Sequence, residues 1–254
     1  MLLEVEGLTK HFGGVRAVNG LDFHVQQGEI LGLIGPNGAG KTTVFNLISG
    51  FIRPNKGKVV FEGSDITGLK PHKIARLGLV RSFQTTTLLH EETVLQNVAL
   101  ACHSNNGPSY LSSVFNIRAA KRQQERAEYH ATEVLGRMKL TDVKDELCKN
   151  LPHGLQRALG VAIAMAGDPK LMLLDEPVTG MTTSESMAMM GRIKDIRDSG
   201  TTILLVEHDM SAVMNTCDRL VVLDFGAKIC EGLPDEVRND GNVIACYLGV
   251  EDGE

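Results

Sequence analysis

A glycine-rich segment between a predicted strand and a predicted helix constrains this chain more than any other feature. The segment reads Gly35-Pro36-Asn37-Gly38-Ala39-Gly40-Lys41-Thr42. It follows the apolar run Glu29–Ile34, a predicted buried strand, and precedes Thr43–Ser49, a predicted helix. Glycines let the backbone curl so that successive N–H groups and the helix N-terminus form an anion site. The pattern predicts the phosphate loop of a nucleotide hydrolase, in which Lys41 reaches the β- and γ-phosphates and Thr42 offers its hydroxyl to Mg²⁺.

Composition excludes several classes of protein. The chain has 254 residues, 43% of them hydrophobic and 22% charged, which is ordinary for a soluble globular protein. It shows neither an apolar run long enough to cross a bilayer nor a signal-peptide pattern, so we expect a cytoplasmic protein that can dock on a membrane. A net charge of −5 argues against a nucleic-acid partner. The five cysteines form no C-x-x-C pair, which argues against a zinc site or a disulfide framework.

A second motif is the apolar run Leu171–Leu174 followed by Asp175 and Glu176. This order puts two carboxylates at the C-terminal edge of a strand, where α/β sheets bind their ligands. We predict that Asp175 holds Mg²⁺, directly or through water, and that Glu176 polarises the water that attacks the γ-phosphate. Alone, such a pair often just ends a strand, but the upstream phosphate loop favours the functional interpretation.

The order of predicted elements indicates an α/β protein with an insertion. Short β-prone runs dominate the first third, the segment from Thr85 to Ala166 is helical in pattern, and buried strands return at Leu171–Asp175 and Thr202–Val206. The pattern predicts a three-layer core formed by residues 1–84 and 167–254, interrupted by a helical block over 85–166. The amphipathic segment Glu185–Asp198 is long enough for a crossover helix.

With these motifs in this order, the chain resembles an ATP-binding cassette (ABC) ATPase, the motor subunit of ABC transporters, over nearly its full length. Gln84, in Ser-Phe-Gln-Thr, matches the glutamine that contacts Mg²⁺ and links the core to the helical subdomain. His208 matches the switch histidine that contacts the γ-phosphate, and Phe12 matches the aromatic residue that stacks on adenine.

The resemblance implies a single ABC ATPase domain over residues 1–254. Its fold would be a P-loop NTPase-like three-layer core with an N-terminal antiparallel β-subdomain and an inserted α-helical subdomain. The implied cofactors are ATP and Mg²⁺. The implied catalytic residues are Glu176, His208 and Gln84, and the implied metal ligands are Thr42, Gln84 and Asp175. The implied nucleotide contacts are Phe12, Val18, Gly35, Pro36, Asn37, Gly38, Ala39, Gly40, Lys41, Thr42, Thr43, Pro152, His153 and Gly154.

The chain departs from the family in its signature motif. The usual Leu-Ser-Gly-Gly-Gln is here Leu-Pro-His-Gly-Leu over 151–155. In the family this loop meets the γ-phosphate held by the partner subunit, but Pro152 has neither a hydroxyl nor a backbone N–H. Gly154 and the amides after it can still form an anion site. His153 either donates to phosphate or is a solvated loop residue.

Two further positions differ from the family. In the loop after Pro177, Thr182 stands where the family usually has an aspartate, and Ile163 stands where an arginine is common. The two alternatives are a weakened or asymmetric composite site and a working variant of it. We favour the working variant, because the phosphate loop and the other expected site residues are intact.

Several stretches resemble the ATPases of branched-chain amino acid importers, including 12–18, 45–51, 75–84 and the ending 243–249. The insertion over 104–128 matches the larger of that importer's two ATPase subunits. The resemblance implies a second, different ABC ATPase subunit, membrane permease subunits and a solute-binding protein, with the chain peripheral on the cytoplasmic face of the membrane. The lipopolysaccharide-export ATPase is the alternative within transport.

The expected function is an ATPase that powers import by ATP-driven dimer closure. A non-hydrolytic regulatory partner in a heterodimer is the competing class. A soluble cassette that acts on DNA or ribosomes is disfavoured by the acidic balance and the single cassette.

Overall fold

The structure, a computed structural model, describes residues 1–82, 88–106 and 117–248. Its internal contacts divide the chain into two units. The first unit consists of Met1–Arg81, Lys170–Glu176 and Arg197–Glu254, and the second of Ser82–Pro169 and Pro177–Ile196. Both units are therefore built from segments that are distant in sequence.

The first unit contains a four-stranded antiparallel sheet. Its strands are β1 (Leu3–Phe12), β2 (Val15–Val25), β4 (Lys56–Phe61) and β5 (Ser64–Asp65), in the order β2-β1-β4-β5. The first two strands pair from Leu3 opposite Val25 to Phe12 opposite Val15, so they form one long hairpin. We predicted only short β-prone runs in this third of the chain. The polar and glycine residues between those runs hid the strand pattern, which continues through three register shifts.

A six-stranded sheet forms the other layer of strands in this unit. Its strands are β3 (Ile30–Ile34), β6 (Leu79–Arg81), β7 (Leu171–Asp175), β8 (Thr202–Val206), β9 (Arg219–Asp224) and β10 (Ala227–Gly232), in the order β10-β9-β3-β8-β7-β6. All neighbouring pairs are parallel except β9 and β10. The bounds of β7 and β8 are those predicted, because both strands are fully buried and read as continuous apolar runs.

The described helices of the first unit are α1 (Lys41–Ile48), α2 (Pro71–Arg76), α7 (Met210–Thr216), α8 (Pro234–Arg238) and α9 (Gly241–Leu248). One apolar cluster joins α1 with strands of both sheets. Phe45 of α1 and Phe61 of β4 are among its largest fully buried side chains. This cluster fixes the phosphate loop, because the loop is the direct connection between β3 and α1.

The second unit is helical where the structure describes it. Its helices are α3 (Val94–Asn106), α4 (Ile117–Arg137), α5 (His153–Met165) and α6 (Thr183–Asp198), with 3₁₀ turns at Thr141–Val143 and Cys148–Asn150. Thr93 caps α3, since its Oγ1 accepts a hydrogen bond from Gln96 N at 3.2 Å. The buried Asn97 amide donates to Leu89 O and Thr93 O at 3.1 and 2.9 Å and so joins α3 to the loop before it.

Two predicted features lie outside the described residues, Gln84 and part of the 104–128 insertion. Among the helices of the described ranges, none is both long and apolar enough to cross a membrane.

Candidate nucleotide-binding site

The phosphate loop has a backbone that its glycines alone can adopt. Gly40 has a φ of +99°, and a Cβ atom there would lie 2.3 Å from Ala17 O. Gly35 has a φ of +148°, and its Cβ would lie 2.1 Å from Leu223 O. The loop also accepts a hydrogen bond at Ala39 O from Gly226 N, at 3.1 Å. A side chain at Gly40 or Gly35 would therefore clash with the backbone of β2 or of β9, so both positions require glycine.

The Lys41 side chain folds back into the loop. Its Nζ donates hydrogen bonds to Gly35 O at 2.6 Å and to Pro36 O at 3.0 Å, and the residue is 6% exposed. Burial lowers the pKa of Lys41, and the negative charges of Glu176 and Asp175 oppose that shift. A buried ammonium group thus lies within the curl of the loop, facing two carboxylates.

The other loop residues divide into surface and core. Asn37, Gly38 and Thr42 are exposed, and Thr43 is half-buried. Ala39 is buried and belongs to the apolar cluster. The Thr42 hydroxyl, one of the predicted metal ligands, is therefore accessible at the first turn of α1.

Asp175 ends β7 as predicted, and the structure adds a partner that sequence reasoning missed. Asp175 is 3% exposed, and its Oδ2 accepts a hydrogen bond from Arg81 Nη2 at 2.7 Å. Arg81 Nη1 donates to Asn46 Oδ1, also at 2.7 Å. Among the described residues, no group donates a hydrogen bond to the buried Asp175 Oδ1. Little in the sequence indicates this contact. Arg81 lies three residues before Gln84, at the end of a strand that is too short to show the alternation of a β-strand.

Glu176 and His208 meet at the neighbouring strand ends. His208 Nε2 lies 2.5 Å from Glu176 Oε1, and the two side chains are 43% and 19% exposed. Glu176 has a φ of +49°, a left-handed conformation that is unusual for glutamate. Its backbone N–H donates to Val206 O at 2.8 Å, which continues the pairing of β7 with β8. The structure therefore brings together these two predicted catalytic residues.

The predicted adenine-contacting residues have different surroundings. Phe12 is 50% exposed at the tip of the β1–β2 hairpin, with Lys10 Nζ at 5.2 Å from its ring centroid. Val18 is fully buried in the apolar cluster, so its side chain offers no surface to a nucleotide. The backbone O of Ala17, one residue earlier, is the atom that approaches Gly40.

The signature segment starts α5. Pro152 is its N-cap residue, and Leu155 N and Gln156 N donate to Pro152 O at 3.0 and 3.1 Å. The helix begins at His153. Pro152 suits this position, because a helix start needs no N–H from its cap. His153 is exposed and Gly154 is buried.

The two segments that depart from the family pattern lie side by side in the second unit. Thr182 caps α6: its N–H and hydroxyl donate to Glu185 Oε2 at 2.9 and 2.8 Å. These hydrogen bonds lower the pKa of Glu185. A Cβ atom on Gly154 would lie 2.8 Å from Glu185 Oε1, and one on Gly180 would lie 3.4 Å from His153 Cε1. The carboxylate of Glu185 is thus packed against the start of the signature helix.

A second contact missed from sequence involves α9. The Tyr247 phenol hydrogen-bonds to the backbone of Gly35, the first residue of the loop, and burial raises the pKa of Tyr247 to about 12. The C-terminal helix therefore brings Tyr247 next to the first residue of the phosphate loop.

Comparison with known families identifies this arrangement. A family model described as ABC transporter matches residues 18–179, a range that includes the loop, the signature segment and both strand-end carboxylates. The chain belongs to the ABC transporter family. A second model, described as branched-chain amino acid ATP-binding cassette transporter, matches residues 227–253 of this ABC ATPase.

Curated relatives match the ABC ATPase from end to end. The high-affinity branched-chain amino acid transport ATP-binding protein BraF of Pseudomonas aeruginosa is 39% identical over 249 residues, which cover 98% of each chain. The corresponding protein LivG of Salmonella typhimurium is 40% identical over 249 residues, again covering 98% of each chain. The resemblance to branched-chain amino acid importer ATPases that we drew from the sequence is confirmed.

Solved structures confirm the fold class. A crystal structure of the ADP conformation of an ATP-binding cassette of an ABC transporter is 32% identical, covers 98% of both chains and has a TM-score of 0.85. A nucleotide-free cassette from an ABC transporter gives a TM-score of 0.84 at the same identity, covering 98% of this chain and 99% of that one. The family binds nucleotide, and this chain is an ABC-type ATPase, as predicted.

Proposed function

We propose that this ABC ATPase is the motor subunit of an importer for branched-chain or related amino acids. The observation that carries the proposal is its likeness over the whole chain to BraF and LivG, together with the match of its C-terminal segment to a branched-chain amino acid cassette model. The cluster of Lys41, Asp175, Glu176 and His208 supports hydrolysis as the source of energy.

The phosphate loop would bind the β- and γ-phosphates of ATP. Lys41 Nζ now donates to two backbone carbonyl groups of the loop, and we infer that it exchanges them for phosphate oxygens when ATP arrives. The inward N–H groups of the loop and the start of α1 would add neutral donors. Phe12, half exposed at a hairpin tip, would stack on adenine.

Thr42, Asp175 and Gln84 would hold Mg²⁺, which neutralises the charge on the phosphate oxygens during transfer. Protein Mg²⁺ sites commonly use one or two carboxylates and leave the other positions to phosphates and water. The buried Asp175 Oδ1, to which no described residue donates a hydrogen bond, and the exposed Thr42 hydroxyl fit that set.

Glu176 would act as the general base. Its carboxylate would accept the proton of the attacking water as the bond from the water oxygen to the γ-phosphorus forms and the bond from that phosphorus to the β,γ-bridging oxygen breaks, with ADP as the leaving group. His208 would orient that carboxylate through the 2.5 Å contact and would turn towards the γ-phosphate in the closed state.

We further propose a composite site shared by two chains. Pro152, His153 and Gly154 of one subunit would face the γ-phosphate held by the other, with the amides at the start of α5 as donors. The changed signature supports a heterodimer with a different cassette. Closure would carry the helical block over 85–166, and Gln84 would pass the motion to the permeases, with a solute-binding protein delivering the amino acid. The chain would lie peripherally on the cytoplasmic face of the membrane.

The first test is steady-state Mg·ATP hydrolysis by the purified chain and by its Glu176→Gln variant. Glu62→Gln is the matched control, because Glu62 has the same φ of +49° and pairs with Lys170 on the surface. We expect turnover to fall by ~10²–10⁴-fold in Glu176→Gln and to stay unchanged in the control. Turnover only after the neighbouring cassette is added would support the heterodimer. ATP binding with no turnover in either mixture would instead support the regulatory partner.

The second test addresses the solute. Uptake of labelled leucine and of labelled glucose is measured in cells with and without the gene for this chain. Loss of leucine uptake alone is expected, and unchanged leucine uptake would contradict the proposed substrate class.

A further inference from the structure

We propose that Arg81 is a positioning residue of the metal centre: its guanidinium clamps Asp175 Oδ2 and Asn46, so that Asp175 Oδ1 stays aligned for Mg²⁺. The inference rests on the proposed metal role of Asp175 and adds a second residue to that centre.

The geometry is that of a fork between two elements. Arg81 ends β6 and Asp175 ends the neighbouring parallel strand β7, while Asn46 lies one turn into the helix that follows the phosphate loop. One terminal nitrogen of Arg81 donates to Asp175 Oδ2 and the other to Asn46 Oδ1, both at 2.7 Å. The proposed metal ligand is thereby tied to the helix whose first turn carries Thr42 and Lys41.

The surroundings keep the guanidinium in place. The Arg81 and Asp175 side chains are 10% and 2% exposed. The Arg81 guanidinium carbon lies 5.6 Å from the ring centroid of Phe45 and 5.9 Å from that of Phe51. Two aromatic rings and two hydrogen bonds leave few alternative rotamers, so the orientation of the carboxylate is set before any ligand binds.

The division of the carboxylate oxygens gives the metal its position. Oδ2 is committed to Arg81, and no described residue donates to the buried Oδ1. Removing a residue that hydrogen-bonds to a metal-ligating carboxylate typically weakens metal affinity by ~10–100-fold. The positive charge of Arg81 repels Mg²⁺ and by itself would weaken its binding. Alignment of the Asp175 carboxylate must therefore favour Mg²⁺ binding by more than this repulsion disfavours it.

Arginine suits this role better than lysine. A planar guanidinium bonds two acceptors at a fixed angle, whereas an ammonium group is a point donor on a flexible stem. Arg81→Lys therefore tests the effect of geometry apart from that of charge, because it keeps the positive charge and loses the fixed pair of hydrogen bonds to Asp175 and Asn46.

The test measures Mg²⁺-linked nucleotide binding and needs no turnover. A fluorescent ADP analogue, mant-ADP, is titrated in EDTA and across a series of Mg²⁺ concentrations with the full chain and its variants. For Arg81→Met we expect binding in EDTA within about twofold of the unsubstituted chain and a Mg²⁺ midpoint raised ~10-fold. For Arg81→Lys we expect a rise of about threefold. Arg197→Met, which removes an Arg–Asp pair at the opposite end of the same sheet, is the matched control and should change neither.

Three outcomes would overturn the proposal. A Mg²⁺ midpoint of Arg81→Met within twofold of the unsubstituted chain would show that alignment is not needed. A lowered midpoint would show that charge repulsion dominates. An equal loss of binding in EDTA and in Mg²⁺ would show that Arg81 only supports the fold.

Two further variants keep the test decisive. If Arg81→Met does not fold, Arg81→Lys and Asn46→Ala take its place, and an unchanged midpoint in both overturns the proposal. Asp175→Asn tests the metal role of Asp175 separately from the positioning role of Arg81. If it leaves the midpoint unchanged, the metal role of Asp175 fails and the role of Arg81 fails with it. If Asp175→Asn raises the midpoint and Arg81→Met does not, only the inference about Arg81 fails.

Discussion

His208 Nε2 lies 2.5 Å from Glu176 Oε1, at the carboxyl ends of the adjacent parallel strands β8 and β7. The backbone of Glu176, the residue that follows β7, is held in a left-handed conformation. The pair is only partly buried, so solvent can reach it. This contact links the proposed base to the loop that follows the neighbouring strand.

Removing the histidine should lower turnover while nucleotide binding is retained. His208→Ala leaves Glu176 without the partner that orients it, so kcat is expected to fall ~10²–10⁴-fold. The Kd for ADP should change by less than about twofold, because the loop donors are intact. His72→Ala on the exposed face of α2 serves as the control. Activity of His208→Ala within twofold of the unsubstituted chain would contradict the assignment. The assay uses whichever assembly supports turnover.

A methyl group at Gly40 should damage the phosphate loop. The new Cβ would meet Ala17 O at 2.3 Å, and the φ of +99° is itself unfavourable for alanine. We expect Gly40→Ala to lose more than ~2 kcal/mol in free energy of unfolding and at least ~10-fold in ADP affinity. Gly13→Ala has a similarly positive φ of +57° but no atom within 4 Å, so about 1 kcal/mol and unchanged affinity are expected. Urea denaturation and ADP titration measure both quantities, and equal effects of the two substitutions would refute the steric argument.

The Tyr247 phenol should ionise at a higher pH than an ordinary tyrosine. Its pKa is raised from 10.0 to about 12, mainly by burial, because the charged phenolate is poorly solvated there. The neutral form is favoured by folding, so its contribution to stability is complete below pH 10 and is lost as the pH rises towards 12. Absorbance titration at the tyrosinate band is compared between the unsubstituted chain and Tyr247→Phe. The difference curve should have its midpoint near pH 12 in the folded protein, and a midpoint near pH 10 would show that the phenol is solvated.

Because Glu185 contacts Gly154, we expect substitutions at these two residues to have non-additive effects on stability. The Cβ atom added by Gly154→Ala would clash with Glu185 Oε1. The other carboxylate oxygen of Glu185, Oε2, accepts a hydrogen bond from Thr182. Each of Gly154→Ala and Glu185→Ala should lower Tm, the first by displacing the carboxylate and the second by removing the carboxylate that Thr182, the cap of α6, donates to. The double variant should lose less than the sum, because the clash disappears with the glutamate. Strict additivity would mean that the two residues do not interact.

Local signals carried much of the fold prediction. The phosphate loop was recognisable because its glycines, its lysine and its flanking elements are contiguous in sequence. The strands Leu171–Asp175 and Thr202–Val206 were predicted at their observed bounds, because burial on both faces removes every polar residue from their interior. The three-residue strand β6 was missed, since it is too short to show a period.

Sequence by itself determined the family, the fold class and most of the candidate residues, because these depend on short patterns with a local physical cause. Only the tertiary structure decided which side chains meet. The register of β6 beside β7 places Arg81 opposite Leu173, two residues before Asp175, and the pairing of β7 with β8 brings Glu176 to His208. The packing of α9 brings Tyr247 to Gly35. These contacts depend on sheet register and helix packing between segments distant in sequence, which no local pattern encodes.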